Sequence, residues 1–518
     1  MTLQKQIFKF CKKDWSFLVL FFLSTIYFLY EQITNISWDF VVYLLNAQFY
    51  FDQSLYFEIG RPPLASFLMG LFGVLTTWEF AQILFIIFVC ILYAYSVYLF
   101  SLVTRFHLTL TYAFFLNAYV IIHGLFIGTE MLSLAFLLIA IAGITGGKMI
   151  SGVALGLSAL SRYTGLALFP LLLFHFQMKK IIFACIGFGL TLGAWLIYNY
   201  FVFGHMFASI TNQYALNVLA RREITQPVVF SHFFEASHVL TPFVFIGVIV
   251  VFVILFSSGK KLVNKKITWK KAYVFLLKYQ MQLLMIFLGA YTIYSYATTP
   301  FKFSRYLFFL TVGVVYFGYI GFEFLAKKVK FQKKWWTVFA ILFFSLNMVY
   351  VLLEHQHYDS KQLYEHSISV LEQLNLTHCQ IHSNAWPYLN YLGQGSAPFL
   401  HKDDFSFQMN QEQTPIHVLF PNSGEPDYVN DAQFMQTLPI LYNDSRVYVV
   451  GTSNCIEFTP YRQTYLEEIK ARVQINQNVT ININPCFILF NKYGLIESGC
   501  NFLHGEGWQI DDNRGIWW

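Results

Sequence analysis

Residues 38–63 read WDFVVYLLNAQFYFDQSLYFEIGRPP, and this stretch decides how the rest of the chain is understood. It carries Asp39, Asp52, Glu58 and Arg61, closes on Pro62-Pro63, and lies between one long apolar run and a succession of others. Charged groups beside hydrocarbon are costly unless solvated or paired, so a cluster of them at the end of a membrane span marks a functional site. The plain alternative is a wet connecting loop.

The surrounding composition supplies that hydrocarbon context. The 518 residues are 56% hydrophobic and 12% charged, with a mean hydropathy of +0.51, against about a quarter charged in soluble proteins. Phe and Tyr number 58 and 33, as suits membrane cores and interface belts. The net charge of +6 comes from lysines gathered in short loops between apolar runs, which points away from nucleic acid as a partner.

Runs of about twenty apolar residues mark membrane spans. Lys5, Lys9, Lys12 and Lys13 precede the first run, Trp15 to Tyr30, and no small-residue cleavage site follows it, so a retained helix is expected. Basic flanks stay cytoplasmic, which puts residues 38–63 outside. Leu64 to Leu75 is too short to span and is expected to lie at the membrane surface. Further spans are expected at 77–103, 108–126, from Glu130 to Gly146, at 181–200, 240–256, 273–294, 307–325 and 336–353. Between Met149 and Pro170, Arg162 and Tyr163 fall at the midpoint, so two short helices meeting at an outer turn are expected there. Eleven crossings result, and the lysine clusters at 260–271 and 327–334 then share the inner side.

From His355 the composition changes. Runs at Cys379–His382, Ile416–Phe420 and Val447–Val450 read as strands, and Ile368–Leu374 and Gln463–Val473 have helical spacing. The expected architecture is a polytopic α-helical membrane domain over 1–354 and an extracytoplasmic α/β domain over 355–518. Cys379, Cys455, Cys486 and Cys500 lie in the latter and permit two disulfides in three connectivities. Glycosylation sequons begin at Asn35, Asn375, Asn443 and Asn478.

Three polar constellations share the outer face: Asp39 with Glu58 and Arg61; Glu130; and Lys302 with Arg305 and Tyr306. A carboxylate can deprotonate an acceptor hydroxyl or hold a divalent cation such as Mg or Mn; Asp39 and Glu130 are the residues available for a metal. Arginine and lysine can hold a phosphate and stabilise its growing charge as it leaves. Each residue has a structural alternative: Asp39 or Glu130 as a helix cap, Lys302 and Arg305 as interface anchors.

The segment WDFVVYLLNAQFYFD…YFEIGRPPL resembles the GT-C superfamily of membrane glycosyltransferases, especially the family 39-like protein O-mannosyltransferases and lipid A aminoarabinose transferases. Three further segments, GTEMLSLAFLLIAIAG, GVALGLSALSRYTGLALFP and KFSRYLFFLTVG, follow in the order that group shows. The resemblance implies a GT-C fold and a polyprenyl- or dolichyl-phosphate sugar donor in the membrane lipid. It implies inverting transfer outside the cytoplasm, in the cell membrane or endoplasmic reticulum, to a protein, lipid or glycan acceptor. By the same resemblance Asp39 is the catalytic base or the residue that orients the acceptor, and Glu130 takes the second acidic catalytic position. Arg61, Lys302 and Arg305 contact the donor phosphate, and Glu58, Tyr306 and Arg162 support them. Asp39 is followed by Phe40 rather than a second acid, against mannosyl transfer to protein, and Trp335-Trp336 is followed by Thr337, against oligosaccharide transfer to asparagine. A multispan transporter or flippase for a lipid-linked or anionic substrate is the competing class; its mark is an inverted repeat, and residues 39–63 have no second copy.

Overall fold

The computed structural model describes residues 14–458 apart from 52–56, 126–127, 149, 215–225, 264–267, 300–301, 355–359, 399–404, 406–408, 410–412, 422–426 and 445. Asp52, Arg221 to Glu223, the helix expected over 463–473, Cys486, Cys500 and the sequon at Asn478 lie outside the described residues.

Helix α1 (Trp15–Thr34) leads through Ser37 into α2 (Trp38–Tyr50), and Pro63 opens α3 (Pro63–Leu75), the helix position where a missing N–H costs nothing. Next come α4 (Trp78–Thr104), α5 (Leu108–Phe115), α6 (Ala118–His123), α7 (Glu130–Thr145) and α8 (Ile150–Ser161). A 3-10 segment, Tyr163–His175, precedes α9 (Met178–Phe203) and α10 (Ala208–Tyr214). The bundle continues with α11 (Ser231–Ser237), α12 (Thr241–Val263), α13 (Trp269–Lys278), α14 (Gln280–Thr298), α15 (Leu310–Lys328) and α16 (Trp336–Glu354).

Among the described residues, six helices are long and apolar enough to cross a membrane, or seven if α13 and α14, bent by 69°, count as one. The remaining expected crossings are helical but broken or short. Leu116 ends α5 and Asn117 caps α6, its Oδ1 accepting from the Val120 N–H at 3.1 Å. Helix α7 has 16 residues, about 24 Å at 1.5 Å per residue, less than the ~30 Å hydrocarbon layer. Arg162 stands between α8 and the 3-10 segment, as the two-helix reading required.

These short pieces form the interior. Helix α7 is apolar on every face and buried on nearly all of them, packed between α4 and α8. Helices α12 and α15 approach through Gly247 and Gly321, where an added Cβ would overlap a carbonyl of the opposite helix.

Past α17 (Ser360–Gln373) a five-stranded sheet forms from β1 (Ile381–Ser383), β2 (Ser396–Pro398), β3 (Ile416–Leu419), β4 (Ile440–Asn443) and β5 (Tyr448–Val450), in the order β2-β1-β3-β5-β4. The first three neighbours run parallel and the last two pairings are antiparallel. Ile381, Ile416, Val418 and Val449 form its core with Leu371 and Val370 of α17. A disulfide joins Cys379 to Cys455. Helix α18 (Trp386–Tyr391) leaves the sheet and packs on α2, which joins this domain to the polar end of the bundle. The sequon at Asn35 is corrected by the fold: Asn35 is 4% exposed and donates to Glu31, which leaves its amide no room for a glycan.

Candidate active site

Four local devices bring residues 38–63 into one site. The Ser37 hydroxyl accepts the Phe40 N–H at 3.2 Å and caps α2, so Asp39 is not the cap and its carboxylate is spare. Asn46, fully buried two turns on, donates to the Glu58 carbonyl at 2.9 Å and accepts the Glu58 N–H at 2.8 Å. That double bond pins the returning chain against α2. The Arg61 N–H then closes a turn on the Glu58 carbonyl at 3.3 Å, and the prolines set the direction of α3.

Arg61 Nη1 thereby donates to Asp39 Oδ1 at 2.6 Å, with Glu58 Oε1 3.1 Å from its Nε. From the far end of the sequence Arg305 Nη1 donates to Asp39 Oδ2 at 2.7 Å. The turn carrying Arg305 is held by Tyr119, whose hydroxyl donates to the Ser304 carbonyl at 2.6 Å. Asp39 is therefore gripped by two guanidinia, one on each oxygen. Burial alone would raise its pKa, but the two arginines prevail and hold the carboxyl at about 2. Burial likewise works against Arg305, yet Asp39 keeps its pKa above the ordinary value.

A second pair lies alongside. Glu130, fully buried at the start of α7, forms an ion pair with Arg162 and accepts the Thr129 N–H at 3.3 Å. Tyr43 lies between the pairs: its ring is 5.7 Å from the Arg61 guanidinium and its hydroxyl lies beside Thr129. Three arginines thus face three carboxylates, each cation paired with an internal anion.

No protein-family model matches this chain, and no curated protein is similar to it in sequence. Among solved structures it is similar to ArnT from Cupriavidus metallidurans bound to undecaprenyl phosphate, with a TM-score of 0.54 at 11% identity, covering 87% of this chain and 98% of that one. The apo form of the same ArnT gives 0.53 at 11% identity over 86% and 98%. The chain has an ArnT-like fold.

Within this ArnT-like fold the expected site residues are not all brought together. Asp39, Glu58, Arg61 and Arg305 converge. Glu130 and Arg162 pair beside them. Tyr306 packs edge-on against Phe303 at 5.7 Å, and its ring is 6.0 Å from the Arg305 guanidinium. Lys302 departs from expectation. It is 5% exposed, and its ammonium donates to the Ala297 and Thr299 carbonyls at the end of α14 and lies 5.8 Å from the Tyr296 ring. Free carbonyls at a helix C-terminus attract a cation, and here they take Lys302 from the expected phosphate cluster.

A divalent cation does not fit the carboxylates as they stand. Both Asp39 oxygens face arginine, and Glu130 is spent on Arg162 and a backbone N–H; a metal would have to displace a guanidinium. Among the described residues one group of three His or Cys ligands comes together, His378 with Cys379 and Cys455, and its sulfurs form the disulfide.

Sequence reasoning missed Tyr43 and Asn46 as parts of this site. Tyr43 had a signal, because four residues after Asp39 it shares a helix face. Asn46 had none, since its partner is set by chain folding.

Proposed function

We propose that the protein transfers a sugar from a polyprenyl- or dolichyl-phosphate donor to an acceptor hydroxyl, with inversion, on the membrane face that carries the C-terminal domain. The observation that carries this reading is Asp39 clasped between Arg61 and Arg305. A lipid-linked donor reaches the site by its tail through the bilayer and presents one phosphodiester anion at the level where α1 gives way to α2. Planar guanidinia suit a phosphate geometrically as well as they suit a carboxylate. The donor phosphate takes over part of the arginine pairing, and Asp39, with fewer cations against it, regains basicity. The acceptor oxygen then attacks the anomeric carbon as the bond to the phosphate oxygen breaks. The acceptor proton passes to Asp39, and the polyprenyl phosphate leaves held by arginine. Glu130 with Arg162 forms the buried wall that keeps this charge exchange away from water.

The ArnT likeness supports the same reading through its fold, and that protein is bound to undecaprenyl phosphate. The lysine clusters support the orientation, since they fall at loops expected to stay cytoplasmic. The acceptor is a protein, lipid or glycan. The test is transfer of radiolabelled sugar from polyprenyl-phosphate donors by the purified full-length chain in lipid. Donor-dependent transfer that disappears with Asp39→Asn is expected; vectorial movement of the intact donor across the bilayer without transfer would replace this reading with transport.

A further inference from the structure

We propose that the C-terminal domain is a working part of the site: Tyr388, backed by Trp386, is a positioning residue that holds Asp39 at the start of α2. This inference rests on the reading of Asp39 as the base.

The domain reaches the bundle through a short rigid arm. Strand β1 ends at Ser383, whose hydroxyl accepts the Ala385 N–H at 2.9 Å. Asn384 is locked to Phe420 by two hydrogen bonds of 3.0 and 2.9 Å. Pro387 lies in the first turn of α18, so the arm has little freedom before it meets α2. Trp386, 1% exposed, inserts among Ile36, Val41, Val42 and Leu45, and its ring meets Trp38 edge-on at 5.4 Å. Tyr388 closes the other side: its ring is 5.8 Å from that of Trp38, which brings its hydroxyl to the Trp38 backbone. Tyr388 is itself held by stacking on Tyr364 of α17, with centroids 4.2 Å apart and planes 10° from parallel.

The target of this grip is specific. Trp38 is the first residue of α2 and Asp39 the second. The first N–H groups of a helix have no internal partner. Ser37 satisfies Phe40, and Tyr388 meets the backbone of Trp38. The helix start is thus capped partly from within and partly by a residue 350 positions later in the chain. Asp39 must present one oxygen to each of two arginines, at 2.6 and 2.7 Å, and a displacement of about 1 Å at a reacting group can cost on the order of a hundredfold in rate. An aromatic clamp at the adjacent residue suits that demand.

The test uses the full-length protein in lipid nanodiscs with Tyr388→Phe, which removes only the hydroxyl, and Tyr442→Phe on the edge strand β4 as the control. Hydrogen–deuterium exchange is read over residues 37–41, and transfer kinetics are read with a polyprenyl-phosphate sugar. Tyr388→Phe is expected to speed exchange at 37–41 while exchange in α7 stays at the wild-type rate. It is expected to lower kcat by about tenfold, with the donor KM within about twofold. Combined with Asp39→Asn, it should add no further loss, because a residue acting through Asp39 has nothing left to position. Unchanged exchange at 37–41, or an effect that multiplies fully with Asp39→Asn, overturns the proposal. If the wild-type chain transfers no sugar while Tyr388→Phe still loosens 37–41, the transfer reading fails and the grip of the domain on Asp39 stands.

Discussion

Asp39→Asn removes a charge and leaves a shape. In the folded protein the Asp39 carboxyl is held at about 2 against an ordinary 3.8. At 1.36 kcal/mol per pKa unit, that shift corresponds to about 2 kcal/mol favouring the charged, folded form. Because the pKa is depressed, the contribution is complete above about pH 4 and is lost as pH falls through about 2. The asparagine variant forfeits it at neutral pH and leaves Arg305 without its carboxylate, whereas Arg61 keeps Glu58. The three side chains are 16 to 30% exposed, so water screens part of the cost, and a loss of about 2 kcal/mol is the expected upper range. Donor binding should not weaken, because the competing internal anion is gone. Turnover should fall by about a hundredfold or more, the low end of what a general base contributes. Thermal unfolding in detergent, polyprenyl-phosphate binding and steady-state transfer measure the three effects separately. A variant made in good yield that transfers at nearly the wild-type rate would refute the reasoning; Asp39 would then be an ion-pair strut, and the proton would have to go to Glu130 or Glu58.

Arg305→Gln removes one of the two guanidinia and should weaken donor binding by about tenfold to a hundredfold, the range for a lost charged hydrogen bond. It should also move the acid limb of kcat/KM upward from about pH 2, because only Arg61 then opposes protonation of Asp39; an unmoved limb would separate that limb from Asp39. Glu130→Gln leaves Arg162 unpaired beside a fully buried amide, so stability should drop by about 3 kcal/mol, read as a lower Tm; an unchanged Tm would show that the pair is not a buried strut. Lys261→Cys and Lys361→Cys should label from opposite sides of sealed vesicles; labelling from one side would refute the orientation.

The class of this protein follows from composition and periodicity, because hydrocarbon tolerates only long apolar helices with satisfied backbones. The break at Arg162 was legible for the same reason, as an arginine cannot sit at mid-span without a partner. So was the grouping of Asp39 with Arg61, whose shared loop is bounded by a span and a pair of prolines. Chain order says nothing about which buried charges meet, and that is where tertiary structure decided. Arg305 joins Asp39 from 266 residues away, while Lys302, three residues earlier in the same motif, is turned onto the carbonyls ending α14. An ammonium and a guanidinium on neighbouring positions look alike in sequence. Their partners differ because a helix end lay within reach of one and a carboxylate within reach of the other. The contact of Tyr388 with the start of α2 was likewise unreadable, since a contact between two domains depends on how they pack and leaves no periodic trace in either.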